Sequence, residues 1–233
     1  MVKSLISCLL VLAATAQAQE NAFSKKAVRT WENHVGKQPK VTAPDGKGDV
    51  VLGSVTKHGK PHLLLTFNHS GKATHFDIGR GIGAELLWSP DSKALAVTTS
   101  NGSSNGVYNL IIFQIEAAAV KKIDATPVIR KVFGHPVVCA YPEPPNVAAI
   151  AWVESSASLL VAAQILNHSI CDSFGTFKLY ELDLSSLEVI KAYDQLEAKR
   201  LFGSELGVFL QHARDICITD PRACEVPSNH KAR

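Results

Sequence analysis

The chain has 233 residues, 24 Lys and Arg against 21 Asp and Glu, a formal net charge of +3, and 46% hydrophobic residues. Basic and acidic residues are interspersed along its whole length, whereas nucleic-acid-binding proteins normally concentrate basic residues on one face. We therefore expect no nucleic-acid partner. The composition is that of a globular protein with a hydrophobic core, and the length fits one compact domain.

Residues 1–18 contain the three parts of a secretory signal peptide. Lys3 gives the positive start, a short apolar stretch follows at 5–14, and Ala16-Gln17-Ala18 offers small residues for cleavage. The apolar stretch is about ten residues long, whereas a membrane-spanning helix needs about 20. We expect cleavage after Ala18 and a periplasmic or secreted protein with no stable membrane insertion after the signal is removed.

The next predicted element is a helix within residues 19–48. Apolar residues recur at every fourth position from Phe23 to Val35, and Gly36 ends the pattern, which predicts a short amphipathic helix over 21–35. A turn-rich linker with two prolines and two glycines then extends to residue 48.

Residues 49–195 have the pattern of a β-rich domain. Short segments rich in β-branched, Leu and aromatic residues alternate with turn clusters, which indicates an antiparallel all-β body. The predicted strands are Val50–Thr56, His62–Phe67, Thr74–Ile78, Glu85–Trp88, Ala94–Thr99, Tyr108–Ile115, Val128–Phe133, Ala148–Val153, Leu159–Leu166, Phe177–Leu182 and Val189–Tyr193.

A C-terminal helix is predicted within residues 196–233. Apolar residues return at three- and four-residue steps from Leu206 to Cys217, just after Ser204, which is a suitable N-cap. We expect the apolar side of this helix to lie on the β body, followed by a disulfide-closed tail.

Four cysteines remain after the signal peptide, and in an oxidising compartment two disulfides are expected. Four cysteines allow three connectivities. The turn signal Asp220-Pro221 favours Cys217–Cys224, which leaves Cys139 to pair with Cys171. A zinc site is the alternative, but such sites usually contain close C-x₂₋₄-C pairs, and the sequence has none.

An internal repeat appears in the β-rich region, with two tryptophans, Trp88 and Trp152, 64 residues apart. The first copy carries W-S-P-D-S-K at 88–93 and resembles the W-S-P-D-G-K repeat of TolB-like, WD40-like β-propellers. The resemblance is good over 86–116 and degenerate over 149–190. It implies that each tryptophan packs between blades and that the Pro-Asp turn reverses the chain.

The repeat departs from the family pattern at two places. Ser92 stands where the family usually has glycine, and Glu154-Ser155-Ser156-Ala157 replaces the turn in the second copy. Residues 45–195 supply chain for about three or four blades, whereas propellers close with four to eight. We expect propeller-like blades without ring closure. Either terminal helices cover an open edge, or the strands form a compact sheet stack with propeller-like hairpins.

Three motifs match catalytic patterns but lack the context that those patterns require. G-x-S-x-G at 102–106 and the glycine-rich Gly79–Gly83 precede predicted strands rather than helices. S-x-x-K at 54–57 lacks its companion motifs and alternates like a strand. We interpret 79–83 and 102–106 as loops and 54–57 as part of a strand, and Arg80 is a candidate contact for an anionic partner.

Four of the nine histidines lie close together in the sequence, and neutral imidazole is the commonest metal ligand. These candidate metal ligands are His58, His62, His69 and His75. Without a carboxylate in a known metal motif beside them, solvated or hydrogen-bonded side chains are the preferred interpretation, and we expect no cofactor.

The sequence contains no coherent catalytic set, so the leading hypothesis is an exported β-propeller-like binding or protein-interaction module with an unidentified protein partner. One alternative is a secreted hydrolase with dispersed loop residues, for example a histidine from 58–75 with Asp77 or Asp91. Another is a structural accessory subunit whose sheet edge pairs with another chain.

Overall fold

Three antiparallel sheets make up most of the computed structural model, which describes residues 22–31, 40–101, 107–116, 119–134, 143–153, 156–166 and 174–214. The strands are β1 (Val28–Trp31), β2 (Lys40–Thr42), β3 (Gly48–Lys57), β4 (Lys60–His69), β5 (Lys72–Arg80), β6 (Gly83–Trp88), β7 (Ala94–Ser100), β8 (Tyr108–Ile115), β9 (Val120–Asp124), β10 (Asn146–Val153), β11 (Ser158–Gln164), β12 (Phe177–Asp183) and β13 (Val189–Tyr193). The helices are α1 (Thr126–Phe133), α2 (Gln195–Phe202) and α3 (Val208–Gln211). The described chain is therefore mainly β.

Each sheet contains a four-stranded meander, as expected for propeller-like blades. The first sheet has the order β2-β3-β4-β5, and the third has the order β10-β11-β12-β13. In the second sheet, β1 is added to the meander β6-β7-β8-β9 by antiparallel pairing with β6, with Val28 opposite Leu86. Within the first sheet, β3, β4 and β5 follow one another through two-residue turns, typical of local antiparallel pairing.

Two hydrophobic cores hold the sheets in a stack. One lies between the first and second sheets and includes Leu65 and Phe113. The other lies between the second and third sheets and includes Ile112 and Val161. The second sheet is buried on both faces, so its strand β7 is buried along its whole length, including Thr98, Thr99 and Ser100.

The outward face of the third sheet is covered by both ends of the described chain. Phe23 is fully buried there, together with Leu206 and Leu210 from the C-terminal segment. We call residues 22–24 the strap. It joins the C-terminal segment through Gly207 N–H, which donates to Phe23 O at 2.6 Å, and Phe209 N–H, which donates to Ala22 O at 2.9 Å.

The outward face of the first sheet is mainly polar, with Val51 and Leu64 as half-buried apolar members. Its side chains include Asp49, which accepts a hydrogen bond from Asn68 Nδ2 at 2.7 Å, and Thr66, which lies 2.9 Å from His75 Nδ1. An antiparallel sheet can expose one face to water when that face is polar.

Three predictions about helices are corrected by the structure. The predicted helix at 21–35 is wrong over the described residues 22–31, which form the strap and β1. The predicted strand Val128–Phe133 is part of helix α1, because Pro127 suits the first turn of a helix and Ile129 can be buried at helical spacing.

The C-terminal helix is in fact two short helices separated by the turn at 203–207. The helix that follows Ser204 is α3, and its N-cap is Gly207 rather than Ser204. The preceding helix α2 is capped by Asp194, whose side chain accepts from Glu197 N–H. The predicted burial of the apolar residues on the β body is confirmed for Leu206, Leu210 and Ala213. Among the described residues, no helix combines the length and hydrophobicity needed to cross a bilayer.

Candidate functional site: a groove at the repeat tryptophans

The first repeat forms a tight turn at the end of β6. Ser89 Oγ donates to Asp91 Oδ1 at 2.7 Å and accepts from Ala94 N–H at 2.8 Å. Ser92 has φ of +61°, the left-handed conformation that favours glycine. Its side chain compensates, because Ser92 Oγ accepts from Asp45 N–H of the first sheet at 2.9 Å. The serine at the family's glycine position thus links two sheets.

The second repeat shares one backbone feature with this turn, although it lacks the Pro-Asp sequence. Ser156 lies 64 residues after Ser92 and also has a positive φ, of +83°. The predicted placement of the tryptophans between blades is confirmed. Trp88 Nε1–H donates to Val41 O of the first sheet at 3.3 Å, and Trp152 Nε1–H donates to Leu87 O of the second sheet at 3.2 Å.

A groove of about 300 Å³ lies where these two tryptophans meet. All three sheets contribute to it, through the edge strands β1, β2 and β10 and through β6, which pairs with β1. Its walls are mostly apolar or aromatic, formed by Val28, Val41, Pro44, Leu86, Leu87, Trp88, Pro90, Ala151 and Trp152, with Lys26 and Thr42 as polar members.

The groove is apolar and open to solvent. Val28 is 45% exposed on β1, and Pro44 and Pro90 are exposed at the rim. The charge of Lys26 is paired with Glu205 at 2.9 Å. Because both indole N–H groups already donate to backbone carbonyls, the groove presents the indole rings chiefly as apolar surface.

At the other end of β6, the carboxylate of Glu85 is buried and holds the strap. Its oxygens accept from the N–H groups of Ala22 at 2.5 Å, Phe23 at 3.3 Å and Ser24 at 3.2 Å. Burial raises the pKa of Glu85 above its ordinary value, and these three backbone donors act in the opposite sense. The side chain thus fixes the chain segment that leads into β1 and the groove.

One predicted histidine–aspartate pair is present on the first sheet, away from the groove. His62 Nδ1 lies 3.2 Å from both carboxylate oxygens of Asp77. Lys57 Nζ also binds this carboxylate, and Gly79 N–H donates to it at 2.9 Å, so the pKa of Asp77 lies well below its usual range. Asp91, the other predicted partner, belongs to the repeat turn.

The four candidate metal-ligating histidines have separate surroundings. His62 binds Asp77, whereas His75 binds Thr66. His58 is exposed with φ of +50° in the turn between β3 and β4, and His69 lies opposite Gly48 at the far end of β4. In the part of the chain that the structure describes, no group of three His, Cys, Asp or Glu side chains is arranged to hold a metal ion.

Two of the remaining sequence motifs lie in a strand and in a connection between strands. Ser54–Lys57 runs along β3, and Gly79–Gly83 connects β5 to β6. Gly81 has no space for a side chain, since a Cβ atom would lie 2.6 Å from Leu63 Cδ1 and 2.7 Å from Ser100 O. Gly102–Gly106 lies outside the described residues, as do all four cysteines of the disulfide prediction, Cys139, Cys171, Cys217 and Cys224.

Comparisons with known proteins concern the fold. Neither a protein-family model nor a curated protein matches the chain. Among solved structures, the chain is similar to the β-propeller domain of the Trilobed protease from Pyrococcus furiosus, which is described as having an open velcro topology. The two share 16% sequence identity with a TM-score of 0.41, over 74% of this chain and 44% of that one. The chain thus spans less than half of that protein's length.

Proposed function

We propose that the chain is an exported β-propeller-like interaction module that binds a short apolar segment of another protein in the groove at Trp88 and Trp152. The observation that carries this proposal is the apolar groove built jointly by strands of all three sheets. Support for export comes from the signal-peptide pattern at 1–18.

The chemistry of the groove favours an extended polypeptide. Its volume of about 300 Å³ is at the small end of the range for ligand pockets and suits a few side chains. Grooves lined with aromatic side chains recognise proline-rich extended segments, which lose little entropy on binding. Pro44 and Pro90 at the rim and the two indole rings offer this type of surface.

The accessory-subunit alternative requires a sheet edge that pairs with another chain. In the described sheets β5, β9 and β13 are edge strands, so this alternative stays a prediction. The groove is the better supported candidate for a partner, because it brings apolar side chains of all three sheets together on an open surface.

A hydrolase is a second candidate function, because His62 and Asp77 are in contact. A carboxylate on Nδ1 orients the ring and leaves Nε2 for proton transfer. The test is turnover of ester, peptide and glycoside substrates by the wild-type protein and by His62→Ala. Activity that His62→Ala loses would support the hydrolase, and equal activity of both proteins would oppose it.

The binding proposal is tested by cross-linking in the native cells. A photoreactive residue replaces either Val28, in the groove, or Val132, which is similarly exposed at 49% but lies on α1. We expect one stoichiometric adduct from position 28, and its loss when Trp152→Ala is added. Equal adducts from both positions, or none from position 28, would contradict the proposal.

A further inference from the structure

A cluster of cationic side chains surrounds Asp77 on the first sheet, remote from the groove. Lys57 Nζ and His62 Nδ1 bind its carboxylate, and Lys122 Nζ from β9 donates to its backbone carbonyl at 2.6 Å. Two sheets therefore direct lysine side chains to one residue. We call this group of side chains the cationic corner.

Strand pairing adds two further cations to the corner. Arg80 lies directly opposite His62, and Lys60 lies opposite Lys57 across the turn between β3 and β4. Both added side chains are exposed. Lys57 thus contacts the Asp77 carboxylate, Lys122 contacts its backbone carbonyl, and strand register places Arg80 and Lys60 beside His62 and Lys57, although the net charge of the whole chain is only +3. The excess of positive charge is local.

The backbone around Arg80 is fixed by its two glycine neighbours. Gly79 has φ of +95°, and its N–H donates to Asp77 Oδ1. Gly81 lies so close to Leu63 and Ser100 that no side chain fits. Because both neighbours are constrained, the position of Arg80 at the end of β5 is set before any ligand binds. Its side chain makes no hydrogen bond or ion pair with the described residues.

We propose that the cationic corner is a binding site for a phosphate or sulfate oxyanion carried by a ligand. Arg80 provides a planar set of donors that matches two oxygens of such a group, and Lys122 and Lys60 provide point charges beside it. Asp77 holds Lys57 and His62 in place and prevents the lysines from spreading apart. The site is independent of the groove.

The experiment titrates the purified protein with inorganic phosphate, with sulfate, and with vesicles of phosphatidylglycerol or phosphatidylcholine. The wild type is compared with Arg80→Gln, with the double variant R80Q/K122Q, and with Lys72→Gln. Lys72 is the matched control, since it is an exposed cation at the opposite end of β5. Melting temperatures establish that each variant is folded.

We expect the wild type to bind phosphate and sulfate, the double variant to lose about tenfold or more in affinity, and Lys72→Gln to bind like the wild type. Binding to phosphatidylglycerol but not phosphatidylcholine vesicles would identify a lipid headgroup as a source of the oxyanion, and binding to free anions alone a soluble source. Equal losses in Lys72→Gln and R80Q/K122Q, or no binding by the wild type, would overturn the proposal. If the double variant fails to fold, Arg80→Gln alone decides by the same criteria.

Discussion

The outward faces of the first and third sheets limit the contact of apolar side chains with water in two different ways. At the third sheet, the strap and the C-terminal segment bury apolar side chains such as Phe23 and Leu210. At the first sheet, the outward side chains are mainly polar, such as the half-buried Asn68 and the exposed His75. An open stack of sheets can therefore end either by covering an apolar face with distant chain segments or by being polar.

The largest expected difference in stability is between Phe23→Ala, at the covered third-sheet end of the stack, and Leu64→Ala, at the first-sheet end. Phe23 is fully buried against Tyr108, with ring centroids 4.8 Å apart, and against Phe209 at 5.6 Å. Removing a buried phenylalanine ring typically costs about 3–5 kcal/mol in the free energy of unfolding. Leu64→Ala, on the half-exposed outward side of β4, should cost about 1 kcal/mol. Denaturant unfolding measures both, and equal losses would remove the distinction between covered and polar ends.

Glu85→Gln should produce the next largest effect, since it weakens the attachment of the strap. A glutamine has one carbonyl oxygen, and its NH₂ group would face backbone N–H donors of residues 22–24. We expect a loss of about 1–3 kcal/mol in the free energy of unfolding.

Glu181→Gln is the matched control for this variant. Glu181 is also buried, but its oxygens accept from the hydroxyl groups of Ser158 and Tyr193, which can reorient. Its loss should be smaller than that of Glu85→Gln. A larger loss at Glu181 would show that burial of the carboxyl group matters more than its backbone donors.

Removal of a single hydroxyl group tests the two ends with the same chemistry. Ser24 Oγ is fully buried and donates to Ile150 O at 2.7 Å, so Ser24→Ala leaves a buried carbonyl without this donor and should cost about 1–2 kcal/mol. Thr66→Val removes a hydroxyl on the polar face, where water replaces it, and should change stability by less than about 0.5 kcal/mol. Thermal unfolding of both variants measures the difference, and similar losses would contradict it.

Most of the β-structure is predictable from the sequence, because local alternation and turn residues determine the hairpins. The turn between β6 and β7 follows from Ser89-Pro90-Asp91, and even Ser92 adopts the conformation that the glycine of the repeat family implies. Pro127 at the start of α1 was the available sign that Val128–Phe133 is helical, but its β-branched residues favoured a strand.

The strap and the groove depend on contacts between residues far apart in the sequence. The apolar residues from Phe23 to Val35 have helical spacing, yet Glu85, more than 60 positions away, accepts from the N–H groups of residues 22–24, and β1 pairs with β6. The groove forms only where three sheets pack together, so the sequence repeat indicates its two tryptophans but not its shape. Likewise, the pairing of His62 with Asp77 requires the register of β4 and β5.

The smallest expected effect is a difference between the two ends in how stability depends on pH. The pKa of Asp77, at the polar end, is lowered mainly by the hydrogen bond from Lys57, so its stabilising contribution is present above its unfolded value of 3.8 and is lost as the pH falls. The pKa of Glu85, at the covered end, is raised by burial, so its contribution is present below its unfolded value of 4.5 and decreases as the pH rises.

Unfolding free energies of the wild type, Asp77→Asn and Glu85→Gln across this acidic range therefore separate the two ends. The stability advantage of the wild type over Asp77→Asn should grow with rising pH, whereas its advantage over Glu85→Gln should be greatest at the acidic limit. Since Asp77 is partly exposed, added salt should reduce the first trend and leave the second nearly unchanged. Parallel pH profiles for the two variants would mean that Glu85 is stabilised in its charged form by the strap, and that its three backbone donors outweigh its burial.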